Sequence, residues 1–229
     1  MAVQTFAGQV VVVTGAAGAL GSAVMSAFAA EGAIVAGLDI AFSDANGKDI
    51  IACDLFEPAS CDAAISQILA EHKQIDVLAN VAGGFAMGQS VHETDASTWE
   101  LMHKLNTGSV VNMASAVVPH MLQQGHGKIL NVAARAGLKG AASMGAYIAS
   151  KSAVVRLTET MADELKEQNI NVNCVLPSLI DTPTNRQAMP DEDFSRWVAP
   201  SSIAGVMVFL ASSAANDIHG ASVPIDGLS

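Results

Sequence analysis

Positive charge is scarce in this sequence. Eleven lysines and arginines (11) stand against 22 aspartates and glutamates, a net charge of −11 over 229 residues. With no basic patch to release counterions from a phosphate backbone, no nucleic-acid partner is expected. Cysteine is also scarce. Cys53, Cys61 and Cys174 are odd in number and show neither C-x-x-C nor metal-ligand spacing, which predicts reduced, buried thiols in a cytoplasmic protein and no metal site. The six histidines show no ligand spacing with cysteines or carboxylates. Aromatics amount to 4%, with one tyrosine, so small apolar residues have to fill the core by close packing of helices on a sheet. Nothing at the start reads as a signal peptide, with its cationic segment, apolar run and cleavage site. The apolar stretch "GSVVNMASAVVPHML" is interrupted by Asn112, Pro119 and His120 and is too short and polar to span a bilayer. No Pro/Gly/Ser-rich linker and no internal repeat divides the chain, so one domain over residues 1–229 is expected.

What is present is alternation. Short β-branched runs ("QVVVVTG", "AIVAGLD", "IIACD", "IDVLANVAG", "KILNVA", "INVNCVLP", "ASVPID") read as strands. Ala-rich stretches between them read as helices, among them one helix over 97–124 and another over 147–168. Continuous apolar strands alternating with helices predict an α/β fold with a parallel sheet covered on both faces. One irregular tract, 178–200, follows a strand's carboxyl end, the side on which open α/β sheets bind ligands. Within it "MPDEDFSRW" is expected to form a short amphipathic lid helix, so residues 181–200 read as a lid over substrate. Phe194 and Trp197 have two readings there, facing the pocket or forming a satellite cluster.

"VVVVTGAAGALGSAV" places Gly15, Gly18 and Gly21 at a strand-to-helix junction. Glycines there permit a tight turn, close approach of backbone to a pyrophosphate and tight helix–strand packing, and the helix N-terminus adds free N–H groups and a positive dipole end. Asp39 closes the second strand, where a carboxylate accepts the ribose hydroxyls of NAD and repels a 2′-phosphate. No basic residue follows it until Lys48, so NADH is expected over NADPH. Asp54, ending "IIACD", is expected on the adenine side. Asn80 in "NVAGG" is expected to tie neighbouring strands together while its glycines face the cofactor.

"YIASK" puts Tyr147 and Lys151 four apart, on one face at the start of a helix. A free phenol titrates near 10. A neighbouring ammonium, the helix N-terminus and a cationic nicotinamide are expected to draw it toward the working range. Thirteen residues earlier stands Ala134.

These pieces, "TGAAGALG", "NVAG", Asn106 in "KLNTGS", "YIASK", "LPSLIDTP" and "VPIDG", make residues 6–228 resemble a short-chain dehydrogenase/reductase. The resemblance implies a Rossmann-type, doubly wound parallel sheet of about seven strands. It implies a homodimer or homotetramer through helices 97–124 and 147–168. By it, Tyr147 is the acid/base, Lys151 lowers its pKa and holds the nicotinamide ribose, Asn106 positions a relay water, and Thr182 touches the carboxamide. The implied cofactor contacts also take in Ala17, Ala19, Leu20, Leu55, Asn80, Ala82, Gly83, Pro177 and Ile180. Two features depart from the family pattern. The middle glycine of the usual TGxxxGxG falls one place after Gly18, and the usual substrate-polarising serine falls at Ala134.

Both departures recur in the dihydropteridine reductase branch, which several segments resemble: "GALG", "VAGG" with Phe85, and "DTPTNRQAMPDEDFSRW". A quinonoid dihydropterin is already electrophilic and needs no polarised carbonyl, which accommodates Ala134. The substrate side is expected to include Ala134, Phe85, Met87, Ser143 and Trp197, with Ser143 the nearest hydroxyl in sequence. Arg135 and Lys139 read as solvated charges or as partners for an anionic substrate. The expected function is NADH-dependent reduction of a quinonoid dihydropterin or similarly activated small molecule. The alternatives are an ordinary alcohol dehydrogenase or carbonyl reductase with its serine replaced, and a non-catalytic NAD-binding sensor or scaffold.

Overall fold

A computed structural model describes residues 5–42 and 49–229; Lys48 lies outside the described residues. Seven strands form one sheet: β1 Val10–Thr14, β2 Ile34–Asp39, β3 Ile50–Ala52, β4 Val77–Asn80, β5 Gly127–Val132, β6 Ile170–Pro177 and β7 Ser222–Ile225. Every pairing is parallel, in the order β3-β2-β1-β4-β5-β6-β7. The order reverses between β1 and β4, and beyond the carboxyl ends of those strands the chain leaves in opposite directions and opens a crevice. This is the expected doubly wound, Rossmann-type architecture.

The helices are α1 Ala19–Ala30, α2 Pro58–His72, α3 Ala96–Met102, α4 Ser109–Gln124, α5 Gly145–Leu165, α6 Pro183–Ala188 and α7 Pro200–Ala211. Side chains alternate across a strand, so β1 feeds two cores. Val10 and Val12 pack with Ile65 and Ile68 of α2 and Met113 and Met121 of α4. Val11 and Val13 pack with Val24 and Phe28 of α1 and Ile203 and Met207 of α7. Burial on both faces explains why β1 reads VVVVT with no polar alternation.

Two expectations about helices need comment, the second of them a correction. The helix predicted over 97–124 starts at its Asp95 cap, whose carboxylate accepts the Thr98 N–H, and ends at Gly125 with φ +76°. It runs unbroken, as expected, but not as α-helix throughout: residues His103–Gly108 form a π-turn within it. Asn106 is drawn to Gly84 and Ser150, and the Thr107 hydroxyl donates to the Ser150 carbonyl at 3.1 Å. These tertiary bonds account for the widened turn, a feature that often marks functional sites. The lid helix also lies upstream of "MPDEDFSRW". It is α6, opened by Thr182 as cap and Pro183 at its first position. Downstream, Phe194–Arg196 makes a single 3-10 turn.

The sharpest close approach lies between turn and helix. A Cβ on Gly21 would fall 2.1 Å from the Gly15 carbonyl oxygen and 2.8 Å from Ala16 Cα, both backbone atoms. We expect Gly21→Ala to push α1 off the turn and destabilise the protein by about 1–3 kcal/mol. In urea unfolding the midpoint should fall with the slope unchanged; an unaltered midpoint would show that the contact yields at no cost.

Candidate active site

A cavity of about 1070 Å³ opens at the carboxyl edge of the sheet. That matches the upper end of the range of about 300–1,000 Å³ for small-molecule sites, and such sites favour this edge. One end is bounded by Asp39 and Asp54, the middle by the glycine turn, and the other end by Ala134, Tyr147, Phe85 and Met87.

The glycine turn is built from close backbone contacts. Gly15 has φ +66°, and a Cβ there would meet Ala82 Cα at 2.8 Å, so the turns after β1 and β4 touch. Gly18 caps α1 with no side-chain hydrogen bond, and no acidic residue occupies the first turn. The helix therefore presents unsatisfied N–H groups beside the cavity. Asp39 accepts hydrogen bonds from the Ala17 N–H at 3.0 Å and the Ala41 N–H at 2.9 Å. Asp54 accepts one from the Phe56 N–H at 2.9 Å. A glycine-rich cradle, a helix N-terminus and a carboxylate closing β2 fit a nicotinamide dinucleotide, with N–H groups for the pyrophosphate and Asp39 for ribose hydroxyls.

At the other end Lys151 is buried, and its ammonium donates to the Val132 carbonyl at 2.9 Å. Its space exists because β4 runs into Gly83, where a Cβ would sit 2.9 Å from Lys151 Nζ and 2.8 Å from Asn106 Oδ1. Asn106 Oδ1 accepts the Gly84 N–H at 2.9 Å, and its amide donates to the Gly84 carbonyl and the Ser150 hydroxyl. Ser150 in turn donates to the Tyr147 carbonyl at 2.7 Å. Phe85 stands edge-on to the Tyr147 ring, with centroids 4.8 Å apart. Burial acts on both ionisable groups. It pushes the Tyr147 phenol up to about 12 and the Lys151 ammonium down to about 8. The phenol in the protein alone is thus raised rather than lowered as the sequence suggested, because burial disfavours its charged form.

The structure brings seventeen of the expected site residues (17) to the cavity wall: Gly15, Gly18, Ala19, Leu20, Gly21, Asp39, Asp54, Leu55, Ala82, Gly83, Phe85, Met87, Ala134, Tyr147, Lys151, Pro177 and Ile180. Six stand elsewhere. Ala17 lies off the wall, its N–H engaged by Asp39. Asn80 is buried under the sheet edge, where its amide donates to Asn131 Oδ1 at 2.9 Å and joins β4 to β5; its own Oδ1 has no partner. Asn106 lies behind Gly83, its amide engaged by Gly84 and Ser150. Thr182 spends its hydroxyl capping α6 through the Asn185 N–H. Ser143, at φ +61°, lines a separate cavity of about 160 Å³ with Thr94 and Thr98. Trp197 is 7% exposed and meets Phe194 edge-on, and the Arg186 guanidinium lies over the Phe194 ring, 4.7 Å from its centroid. The satellite cluster is the reading the structure gives for these two aromatics.

Other wall residues went unread. Asn185 and Met189 reach the cavity from α6 and its end. The Thr-Pro start of that helix was the available signal, and their spacing of four puts them on one face. Ser178 and Ser229 meet across the wall with hydroxyls 2.7 Å apart, a contact between distant segments that carries no local signal. Arg135 lines the wall with its Nε donating to Asp226 at 2.7 Å.

Comparison with known proteins agrees with this geometry. A family described as short chain dehydrogenase matches residues 9–193. The chain is 32% identical to 2-dehydro-3-deoxy-D-gluconate 5-dehydrogenase of Escherichia coli (strain K12), over 96% of this chain and 94% of the relative. It is 34% identical to meso-2,3-butanediol dehydrogenase of Serratia marcescens, over 97% and 94%. The solved structure of Thermoplasma acidophilum aldohexose dehydrogenase superposes with a TM-score of 0.89 at 28% identity, covering 99% of this chain and 95% of that one. The chain belongs to the short chain dehydrogenase family.

The buried lysine has a signature in stability. Its pKa in the folded protein, about 8, lies below that of an unfolded lysine near 10.4. Between these values the unfolded state binds more protons, so stability rises with pH. Tyr147 works the other way, but only above pH 10, where an unfolded tyrosine ionises. Relative to Lys151→Met, we expect the wild type to gain about 2 kcal/mol between about pH 7 and pH 9.5, read by denaturant unfolding. A pH-independent difference would mean that the ammonium is not buried in its charged form.

Proposed function

We propose that this short chain dehydrogenase uses NADH, in preference to NADPH, to reduce a quinonoid dihydropterin or a similarly activated ring. We place it in the cytoplasm as a homodimer or homotetramer joined through α3, α4 and α5. The observation that carries the substrate reading is Ala134. It is 5% exposed and stands in the cavity wall on the loop after β5. A preorganised donor lost from an oxyanion site typically costs ~10²–10³ in rate. A methyl there suits a substrate whose carbonyl needs no polarising. The apolar surroundings, Phe85, Met87, Leu105, Met144 and Met189, suit a flat ring.

When bound, NADH supplies the hydride. The protein's own groups handle the proton and the orientation. A phenol pushed up to about 12 holds its proton at neutral pH, so Tyr147 stands ready as a donor, which favours the reducing direction. Lys151, with a pKa of about 8, remains mostly charged at pH 7 and stabilises the phenolate left by that transfer. Asn106 and Ser150 hold the first turn of α5 in place. Asp39 supports NADH by repelling a 2′-phosphate.

A second reading, a dehydrogenase acting on hydroxy or oxo compounds, is favoured by the names of the relatives. In it Arg135 beside Ala134 would take the serine's part. The sensor or scaffold reading gains nothing from a buried lysine placed beside a phenol.

The test is NADH oxidation with quinonoid dihydropterin, a simple ketone and a quinone. We expect reduction of the pterin, little change on Ala134→Ser, and a loss of about 10²-fold or more on Tyr147→Phe. Ketone reduction that rises sharply in Ala134→Ser, with the pterin untouched, would establish the second reading. Separately, Asp39→Ala should cut the preference for NADH over NADPH at least about tenfold, measured as the ratio of kcat/KM values. An unchanged ratio would remove Asp39 from cofactor choice.

A further inference from the structure

The second cavity, of about 160 Å³, takes no part in the chemistry above. Its wall includes Met87, Gln89, Thr94, Thr98, Ser143 and Ala146. Two segments already described hold it. Residues 86–89 continue from Phe85, and residues 143–146 run directly into Tyr147, so it adjoins the Phe85–Tyr147 contact at the reacting end of the main cavity. Met87 lines both cavities. It is exposed and carries an unbranched side chain with three rotatable bonds. The element common to the two spaces is thus a side chain that can change rotamer.

The linings differ in kind. Apolar side chains dominate the reacting end of the main cavity, whereas hydroxyls and an amide line the second. The Gly88 N–H donates to the Ser143 carbonyl at 2.9 Å and ties the two segments together, with Ser143 held at φ +61°. That conformation is uncommon for serine, and such outliers gather where ligands are held. Among the described residues, nothing hydrogen-bonds to the Ser143 hydroxyl or the Gln89 amide, so both keep donors and acceptors for a guest. The Thr94 hydroxyl donates to the Ser90 carbonyl at 2.9 Å and is left as an acceptor. No lysine, arginine, aspartate or glutamate stands among the described residues of the wall. At ~30 Å³ per water the space corresponds to about five waters, or a chain of a few heavy atoms.

We propose that the second cavity is a subsite for a short, uncharged, hydroxyl-bearing chain on the substrate ring, selected by Ser143 and admitted when Met87 swings aside. The inference rests on the reading of the main cavity as the seat of an activated ring, and it names the substituent that ring carries. A hydroxyl in the subsite pairs with Ser143 and Gln89 and donates to Thr94. An alkyl chain in the same place leaves those groups unpaired. A carboxylate or ammonium loses its hydration there with no opposite charge to replace it.

Two pairs of stable ligands decide it: a fully oxidised pterin and a quinazolinone, each carrying either a methyl or a 2,3-dihydroxypropyl substituent. Their binding to the protein in excess NAD is measured by calorimetry. We expect the dihydroxypropyl member of at least one pair to bind at least about fivefold tighter than its methyl partner. Ser143→Gly should erase that difference and leave the methyl member's affinity unchanged. Glycine adopts φ +61° without strain, so this variant should fold as stably as the wild type, which its urea midpoint checks. Equal binding of the two members, a preference that survives Ser143→Gly, or binding of neither pair would overturn the proposal. A preference for the hydroxylated ligand in a protein that oxidises NADH with no quinonoid dihydropterin would instead count against the reductase reading and leave the subsite standing.

Discussion

The buried ammonium of Lys151, held by the carbonyl that ends β5, sets the terms for everything around it. A charge in that position is costly, and the surrounding structure is arranged to retain it. Gly83 leaves the space the ammonium fills, and the Asn106 oxygen borders the same gap. Asn106 also widens the helix that carries it into a π-turn and braces the first turn of α5 through Ser150. Tyr147 follows from that bracing, since it rides on the same turn. Burial gives the pair its character as well. It keeps the proton on the phenol and brings the lysine close to the point of losing its own.

The opposite end of the cavity relies on backbone. Gly15 and Gly21 bring the turn after β1, the turn after β4 and the start of α1 so close that side chains there would collide. Asp39 reinforces the arrangement by binding N–H groups on both sides of itself, at Ala17 and Ala41. Its carboxylate is therefore held in place before any ligand arrives. Geometry at this end is set by backbone packing, while the far end gathers a few ionisable groups.

Much of this was legible in the sequence because it is local. Strand and helix periodicity is written every few residues, and the glycine turn and "YIASK" are short motifs whose neighbours confirm their context. β6 begins and ends where the residues said it would. What escaped was set by contacts between distant segments. The π-turn arises from bonds between Asn106 and residues more than twenty positions away on one side and more than forty on the other. Asn80 ties β4 to β5 as its place suggested, and that bond to Asn131, opposite it in register, is what keeps it off the cavity wall. Ser143 took a left-handed conformation that gave its wall to a different cavity. The direction of the Tyr147 shift was missed for a related reason: proximity to a charge can be read from a spacing of four, but depth of burial cannot.

The excursion from 181 to 197 has a narrow neck. Ile180 and Val198 pair as a parallel bridge, Asp181 donates to the Val198 carbonyl at 2.8 Å, and Val198 donates to the Leu179 carbonyl at 2.8 Å. The two ends of the excursion are thus clasped before it begins. Lengthening such a closed loop twofold costs only about 0.6 kcal/mol in closure entropy, and none of that is transmitted to β6 beneath. The mouth of the cavity can therefore be rebuilt by swapping this one segment, leaving the nucleotide cradle and the buried lysine as they are.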